Sequence, residues 1–228
     1  MTPVPACAKA IMKPKPRHQV QRIKDRARYD RETAYAILDA GFLAHVGFCV
    51  EGQPFVIPML YARNGDALLL HGSIASRLMG KLGAGIEACV EVTHVDGLVL
   101  ARSHFHHSAN YRSAVAFGRA RTLADAQAKT TALAHFVDAM LPGRAAESRP
   151  PDRNELAATA VLYFSIVDIS AKIRSGGAKD DKADLALPHW AGVIPMSQRY
   201  GVPQAEPGCH VEPPVSVQRL FKSTPREA

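Results

Sequence analysis

The feature that most constrains this chain is a succession of short β-rich runs separated by turn dipeptides. Residues 42–50 close at Glu51-Gly52, residues 54–61 close at Asn64-Gly65, and a third run follows over 66–71. Such dipeptides supply the backbone that tight hairpin loops require, so the three runs form an antiparallel meander. Residues 86–93 and 97–102 read as a further hairpin about His94-Val95-Asp96-Gly97, and 113–123 and 160–173 supply two more strands. Helical patterns lie between them. Residues 32–40 follow a capping Asp30, end at Gly41 and place Ala34, Ile37 and Leu38 on one face. Residues 73–82 read as a helix capped by Ser73, 124–140 as the longest helix, stopped by Pro142-Gly143, and 155–159 as a brief turn. The expectation is a mainly β fold with flanking helices, a six- to seven-stranded antiparallel barrel, closed or nearly closed so that few edges are exposed.

Composition bears on what surrounds this barrel. The 228 residues are 47% hydrophobic, enough for a full core, and the net charge is +7. Residues 1–31 hold nine Lys and Arg against two Asp, while the remainder balances, so the basic character belongs to the N-terminal segment. The Lys13-Pro14-Lys15-Pro16 stretch reads as extended chain, giving a basic flexible arm over 1–21, a folded domain over 22–195 and an irregular tail over 196–228. No nucleic-acid-reading motif follows the arm, so nucleic acid is not an expected partner. Cys7, Cys49, Cys89 and Cys209 are widely spaced, with no disulfide framework and no structural zinc pattern. No apolar run reaches the roughly 20 residues of a membrane span, and the N-terminus lacks a signal-peptide core; the expected location is the cytoplasm.

Three segments carry chemistry. In His71-Gly72-Ser73-Ile74-Ala75-Ser76-Arg77 a strand runs into a helix start, where N–H groups, two hydroxyls and a guanidinium suit a phosphate; a capped helix with one surface arginine is the plain alternative. Lys172 and Arg174 share one face at the end of the last strand. In Ser103-His104-Phe105-His106-His107 an extended backbone would set His104 and His106 on one face, but no third ligand lies nearby, and no metal site is assigned. Nucleophile-elbow, phosphate-loop and dinucleotide motifs are missing.

Taken in order, these motifs resemble the pyridoxamine 5′-phosphate oxidase-related flavoproteins of the FMN-binding split-barrel fold, in the branch of nitroimidazole-resistance-like and flavin-nucleotide-binding proteins. The resemblance rests on Tyr29-Asp30-Arg31-Glu32, Gly52-Gln53-Pro54-Phe55-Val56-Ile57-Pro58, His71-Gly72-Ser73 with Ser76-Arg77, and Asp96-Gly97-Leu98-Val99-Leu100-Ala101-Arg102. It continues through His106-His107-Ser108 with Asn110-Tyr111-Arg112-Ser113, Ser170-Ala171-Lys172-Ile173-Arg174 and Pro188-His189-Trp190-Ala191-Gly192. It implies a homodimer with FMN at the subunit interface. The ring would lie along Val56, Ile57, Pro58 and Met59 and along His71, Gly72 and Ser73. Ser76, Arg77, Lys172 and Arg174 would hold the phosphate, and Asn110, Tyr111 and Arg112 would approach the flavin. Trp190 resembles the late tryptophan of the oxidase, but no Arg-Leu-His run follows it, which speaks against vitamin B6 as substrate.

The function expected is an FMN-dependent oxidoreductase acting on a small molecule, a reductase fed by reduced nicotinamide rather than an oxidase. His71 is the candidate catalytic residue, donating a hydrogen bond or a proton to the flavin. A flavin carrier without turnover is the alternative. A haem-binding split barrel ranks below both, with His104, His106 and His107 as candidate iron ligands.

Overall fold

The computed structural model describes residues 16–223. Eight antiparallel strands occur, β1 (Ala27–Arg28), β2 (Leu43–Val50), β3 (Gln53–Asn64), β4 (Ala67–Ser73), β5 (Glu87–Leu100), β6 (Ser108–Thr122), β7 (Thr159–Arg174) and β8 (Gly192–Pro195). Six of them close a ring in the order β7-β4-β3-β2-β5-β6, with β6 pairing back onto β7 from Tyr111↔Arg174 to Thr122↔Leu162. β1 adds to β7 and β8 to β5. These two shortest strands carry the count past the expected six or seven; runs of two and four residues show no readable periodicity.

Among the described residues five α-helices accompany the barrel, α1 (Arg31–Asp39), α2 (Arg77–Gly83), α3 (Ala126–Met140), α4 (Arg153–Ala158) and α5 (Val215–Ser223). α1 is capped as expected, the Asp30 carboxylate accepting the Thr33 N–H at 2.8 Å. Its buried face, Ala34, Ile37 and Leu38, joins Val46, Val90, Val92, Ala114, Ala116 and Phe164 in the barrel core. Burying one such Leu or Ile side chain contributes roughly 1.5–3 kcal/mol. Two side chains tie α1 to the strands: the Tyr61 hydroxyl donates to the Leu38 carbonyl, and His94 Nε2 lies 3.0 Å from the Ile37 carbonyl oxygen. α3 covers the outside of β3, β4 and β7 through a second cluster, Ala62, Leu69, Val161, Ala132 and Phe136. Among the described residues no helix is long and apolar enough to cross a membrane.

Four local expectations are corrected. His94–Gly97 is no hairpin turn: β5 runs through it, with a bulge between Val95 and Gly97. Gly97 serves close approach instead, since a Cβ there would stand 2.8 Å from the Ile194 carbonyl oxygen of β8. Ser73 ends β4 rather than opening a helix, and α2 starts at Arg77 behind Ser76. His104–His106 is a 3₁₀ turn, so the face-sharing inferred for an extended strand does not arise. The tail is irregular only to its last segment, where α5 is pinned by Glu147, whose carboxylate accepts both the N–H and the hydroxyl of Ser216.

One break in the ring positions everything that follows. β3 pairs with β4 only from Tyr61↔Leu70 to Asn64↔Ala67, while its residues 53–60 pair with β2 alone. Beyond Leu70, β4 continues along β7, from His71↔Val161 to Ser73↔Thr159. The barrel is therefore split between the first half of β3 and the end of β4. The split explains two prolines in a long strand. The Tyr61 N–H donates to the Phe42 carbonyl on the β2 side, so positions an odd number of residues away face the open edge. Pro54 and Pro58 fall at this edge position or share its phase, where a missing N–H breaks no ladder bond.

Candidate functional site

At the split, alternation sorts the four β3 residues expected along the flavin ring. Val56 and Pro58 face outward, Val56 at 67% exposure, whereas Ile57 and Met59 pack against the core. Val56 also shares the strand phase of Pro58, so its backbone N–H and C=O turn to the open edge, where no strand of the described residues pairs with it. These are ready-made main-chain hydrogen-bonding groups. Across the split, Gly72 lies against Met79 of α2, and Ser73 Oγ accepts the Ala75 N–H at 3.2 Å.

Arg77 bridges the two sides. Standing at the start of α2 beyond β4, it carries its guanidinium 4.4 Å from the ring centroid of Phe55 on β3. Phe55 in turn stacks on Phe48 at 5.3 Å. Arg77 makes no ion pair among the described residues, and the Ser76 side chain makes no capping bond. A cation without an ion pair and a hydroxyl without a capping bond among the described residues, beside an unpaired main-chain edge, form a donor set suited to a phosphate-bearing planar ligand.

His71 faces away from this edge. Its ring meets Phe136 of α3 edge-on, centroids 4.4 Å apart, and burial pushes the imidazole below the usual histidine range. Burial thus favours the neutral ring, which can donate one hydrogen bond.

The remaining expected residues gather elsewhere. Ser73 stands opposite Thr159, and Lys172 lies thirteen residues further along β7, opposite Ser113. At about 3.3 Å per residue that is roughly 40 Å of strand. Arg77, beside the Ser73 end of β4, and the Lys172–Arg174 pair thus belong to opposite ends of the β7 ladder. Arg174 is also committed: it is 6% exposed, and its guanidinium donates to Asn110 Oδ1 and to the carbonyls of Gly176 and Gly177, the last at 3.0 Å. Asn110 is thereby occupied as well. Tyr111 pairs in register with Arg174, and Arg112 forms a two-pronged ion pair with Asp96, both contacts at 2.9 Å. That pair holds the Asp96 carboxyl below its ordinary range, chiefly through the Arg112 hydrogen bonds. Trp190 is 66% exposed, its ring lying over Gly192.

The histidine turn lies at this second end. His107 Nδ1 is 2.8 Å from the Ser103 carbonyl oxygen, and because a carbonyl only accepts, Nδ1 carries the proton. Nε2 then holds the lone pair. His106 Nε2 is 3.3 Å from Asp181, and the His104 ring stands edge-on to His107 at 6.3 Å. Among the described residues no group of three His, Cys, Asp or Glu side chains is arranged to hold a metal ion.

Sequence reasoning missed Phe55, Asp96, Asp180 and Ser103. Arg102 donates to Asp180 through its backbone N–H at 2.9 Å and its guanidinium at 2.8 Å. The only sequence trace of this clasp is the acidic pair Asp180-Asp181 inside a Lys-flanked loop.

Comparison with known proteins places the chain in a family. The profile of the family described as pyridoxamine 5′-phosphate oxidase matches residues 30–173. Among solved structures, the flavocytochrome Anf3 from Azotobacter vinelandii is 41% identical, with a TM-score of 0.84 over 90% of this chain and 96% of that one. An FAD and haem binding protein from Mycobacterium smegmatis is 37% identical, with a TM-score of 0.82 over 86% of this chain and 97% of its own. A Bacteroides thetaiotaomicron protein associated with 5-nitroimidazole resistance shares the fold at 18% identity and a TM-score of 0.54, over 64% of this chain and 86% of that one. No curated protein matches.

Proposed function

We propose a function from one premise: this chain belongs to the pyridoxamine 5′-phosphate oxidase family. On that premise it is a flavin-binding oxidoreductase acting on a small molecule, and it works as a homodimer. The observation that carries the reading is the open edge of β3 at Val56, flanked by Arg77 without an ion pair and Ser76 without a capping bond among the described residues. Bound there, a flavin supplies hydride and single-electron transfer. The Val56 main chain would hold the ring, and Ser76 and Arg77 its phosphate.

The homodimer is supported by the separation of the expected site residues. Lys172, Tyr111 and Arg112 lie at the far end of β7 from Ser73, so a twofold partner is the economical way to bring such groups to the split. The outward face of β2 and β3 also leaves Leu43, Val56 and Leu60 exposed, an apolar surface that a second copy would cover. FMN is the flavin implied by the sequence motifs, and FAD the one borne by the Mycobacterium smegmatis relative. The purified protein's visible spectrum, followed by release and identification of the chromophore, tests the reading and decides between the two. A colourless protein that takes up neither added FMN nor FAD overturns it. Steady-state turnover with reduced nicotinamide and a quinone or nitro acceptor separates the enzyme from a flavin carrier.

A second cofactor, haem, is favoured by His107. The Azotobacter vinelandii and Mycobacterium smegmatis relatives are named as a flavocytochrome and for haem binding. A histidine whose Nδ1–H is fixed on a backbone carbonyl keeps Nε2 available as an iron ligand. His106, held by Asp181, and His104 are the weaker candidates of the three. Arg174, tied to Asn110 and the glycine carbonyls, is not left over for a flavin phosphate. Haem brings one-electron iron chemistry. The Soret band of protein reconstituted with haemin is expected to be lost in His107→Ala and retained in His104→Ala; equal spectra in both variants overturn this ligand.

A further inference from the structure

Among the described residues four buried side-chain nitrogen or oxygen atoms lack a partner, and three of them fall in one neighbourhood: Arg102 Nε, Ser103 Oγ and Arg174 Nε. All three can donate a hydrogen bond. Unpaired buried donors are uncommon in folded proteins, and a cluster of them points to an acceptor that belongs there.

Arg174 makes the case stronger. Its guanidinium is buried, and its partners are one amide oxygen and two backbone carbonyls, none of them charged. Burial, with Arg26 nearby, pulls its pKa below the ordinary arginine value. A buried cation without a counter-anion is expensive. Asp180 cannot serve, since both its oxygens are engaged by Arg102 and its side chain is 2% exposed.

Of these three, Arg102 lines a cavity of about 340 Å³, together with Gly177, Lys179, Asp180, Leu185 and Gly192. Gly177 is the residue whose carbonyl Arg174 holds. Lys179 makes no ion pair among the described residues. With Arg102 and Asp180 neutralising each other, Lys179 and Arg174 leave the neighbourhood with a surplus of positive charge.

We propose that this cavity is an oxyanion-binding site, with Lys179 and Arg102 on its wall and Arg174 supplying charge from behind. It is distinct from the Ser76–Arg77 pair at the split. Two sources present such a group: the carboxylates of haem or the phosphates of the flavin. The haem source rests on the second-cofactor reading above. It fits the placing of the cavity, because the His107 ring is anchored on the carbonyl of Ser103, the residue next to Arg102.

The test is a binding titration of the full chain, stripped of bound chromophore, with haemin, haemin dimethyl ester, FAD and riboflavin. Lys179→Met removes one charge from an exposed position. Arg102→Lys keeps a cation against Asp180 but deletes Nε, so the fold survives in at least one variant. Each is expected to weaken the acid-bearing ligand by on the order of tenfold and leave its acid-free analogue unchanged. Loss confined to haemin assigns haem carboxylates; loss confined to FAD assigns flavin phosphates. If haemin does not bind at all while FAD weakens in the variants, the haem reading fails and the oxyanion site stands. If haemin and FAD bind both variants as they bind wild type, the site is overturned whatever becomes of haem. Wild-type protein that takes up neither ligand also counts against it, because no source of the oxyanion remains.

Discussion

The guanidinium of Arg77 rests 4.4 Å from the ring centroid of Phe55, joining the start of α2 to β3 across the gap in the barrel. The stack orders a long side chain in advance and keeps its hydrogen-bond donors available, which lowers the entropy lost on gripping an anion. Arg77→Ala is expected to weaken FMN binding by about tenfold or more, with riboflavin unaffected, because only FMN carries the phosphate. Phe55→Leu, which keeps the cation but removes its platform, should cost about two- to fivefold. Fluorescence titration of both ligands checks the pair; equal losses for FMN and riboflavin would show that Arg77 is not at the phosphate.

Gly118 sits at the register shift where β6 lies tightly against β7. A Cβ there would lie 1.9 Å from the Ser165 carbonyl oxygen, a backbone atom that cannot step aside. Gly118→Ala is expected to destabilise the fold by about 3 kcal/mol or more, through forced displacement of the bulge after Phe117. Urea denaturation measures it as a fall in the midpoint. Gly80→Ala, where a Cβ meets nothing within 4 Å, is the matched control and should not destabilise.

Acid sensitivity has one local source in the α4 capping box. Hydrogen bonds from Arg149, then from the Asp152 backbone, bring the Glu155 carboxyl down to about 2 from an ordinary 4.5. A carboxylate with a depressed folded-state pKa stabilises fully above its unfolded value and loses that contribution as pH falls toward the folded one. The loss therefore falls between about pH 4.5 and pH 2. Thermal melts across that window should show a shallower decline for Glu155→Gln than for wild type, and the two should run parallel between pH 6 and 8.

Burial beneath α3 makes a separate statement about His71. Its midpoint, followed by NMR of the ring protons, is expected below the ordinary 6.5. Phe136→Ala removes the aromatic face that meets it at 4.4 Å, admits water, and should move the midpoint back toward the ordinary value. The same variant is expected to cost about 3–5 kcal/mol of stability, as for other large aromatic truncations in a core. A midpoint at or above the ordinary value in wild type would restore His71 as a proton donor near neutral pH.

Much of this architecture was legible in the residue order. The glycine turns at Gly52 and Gly65 both adopt positive φ and join strands as expected, and Asp30 caps α1. These devices act over two to four residues, so the local sequence contains all the information they need. In β2 the buried residues, Ala44, Val46 and Phe48, alternate along the strand. Misreadings came where one residue type serves two purposes. Gly97 looked like a turn and proved to be a point of approach for β8; Ser73 looked like a cap and proved to be strand.

The candidate site divides along the same line. In the sequence, Ser76 and Arg77 were marked by the strand-to-helix junction at 71–77, a local pattern, and Val56 only through the family resemblance. Tertiary structure decided the rest. It separated Lys172 from Arg77 by the length of β7, committed Arg174 to Asn110, gave Arg112 to Asp96, and turned His71 toward Phe136. Each of these outcomes depends on which strand lies beside which and on the side of the sheet a residue faces. A charged side chain carries no sign of its eventual partner until the fold brings a carboxylate, an amide or an empty cavity within about 3 Å of it.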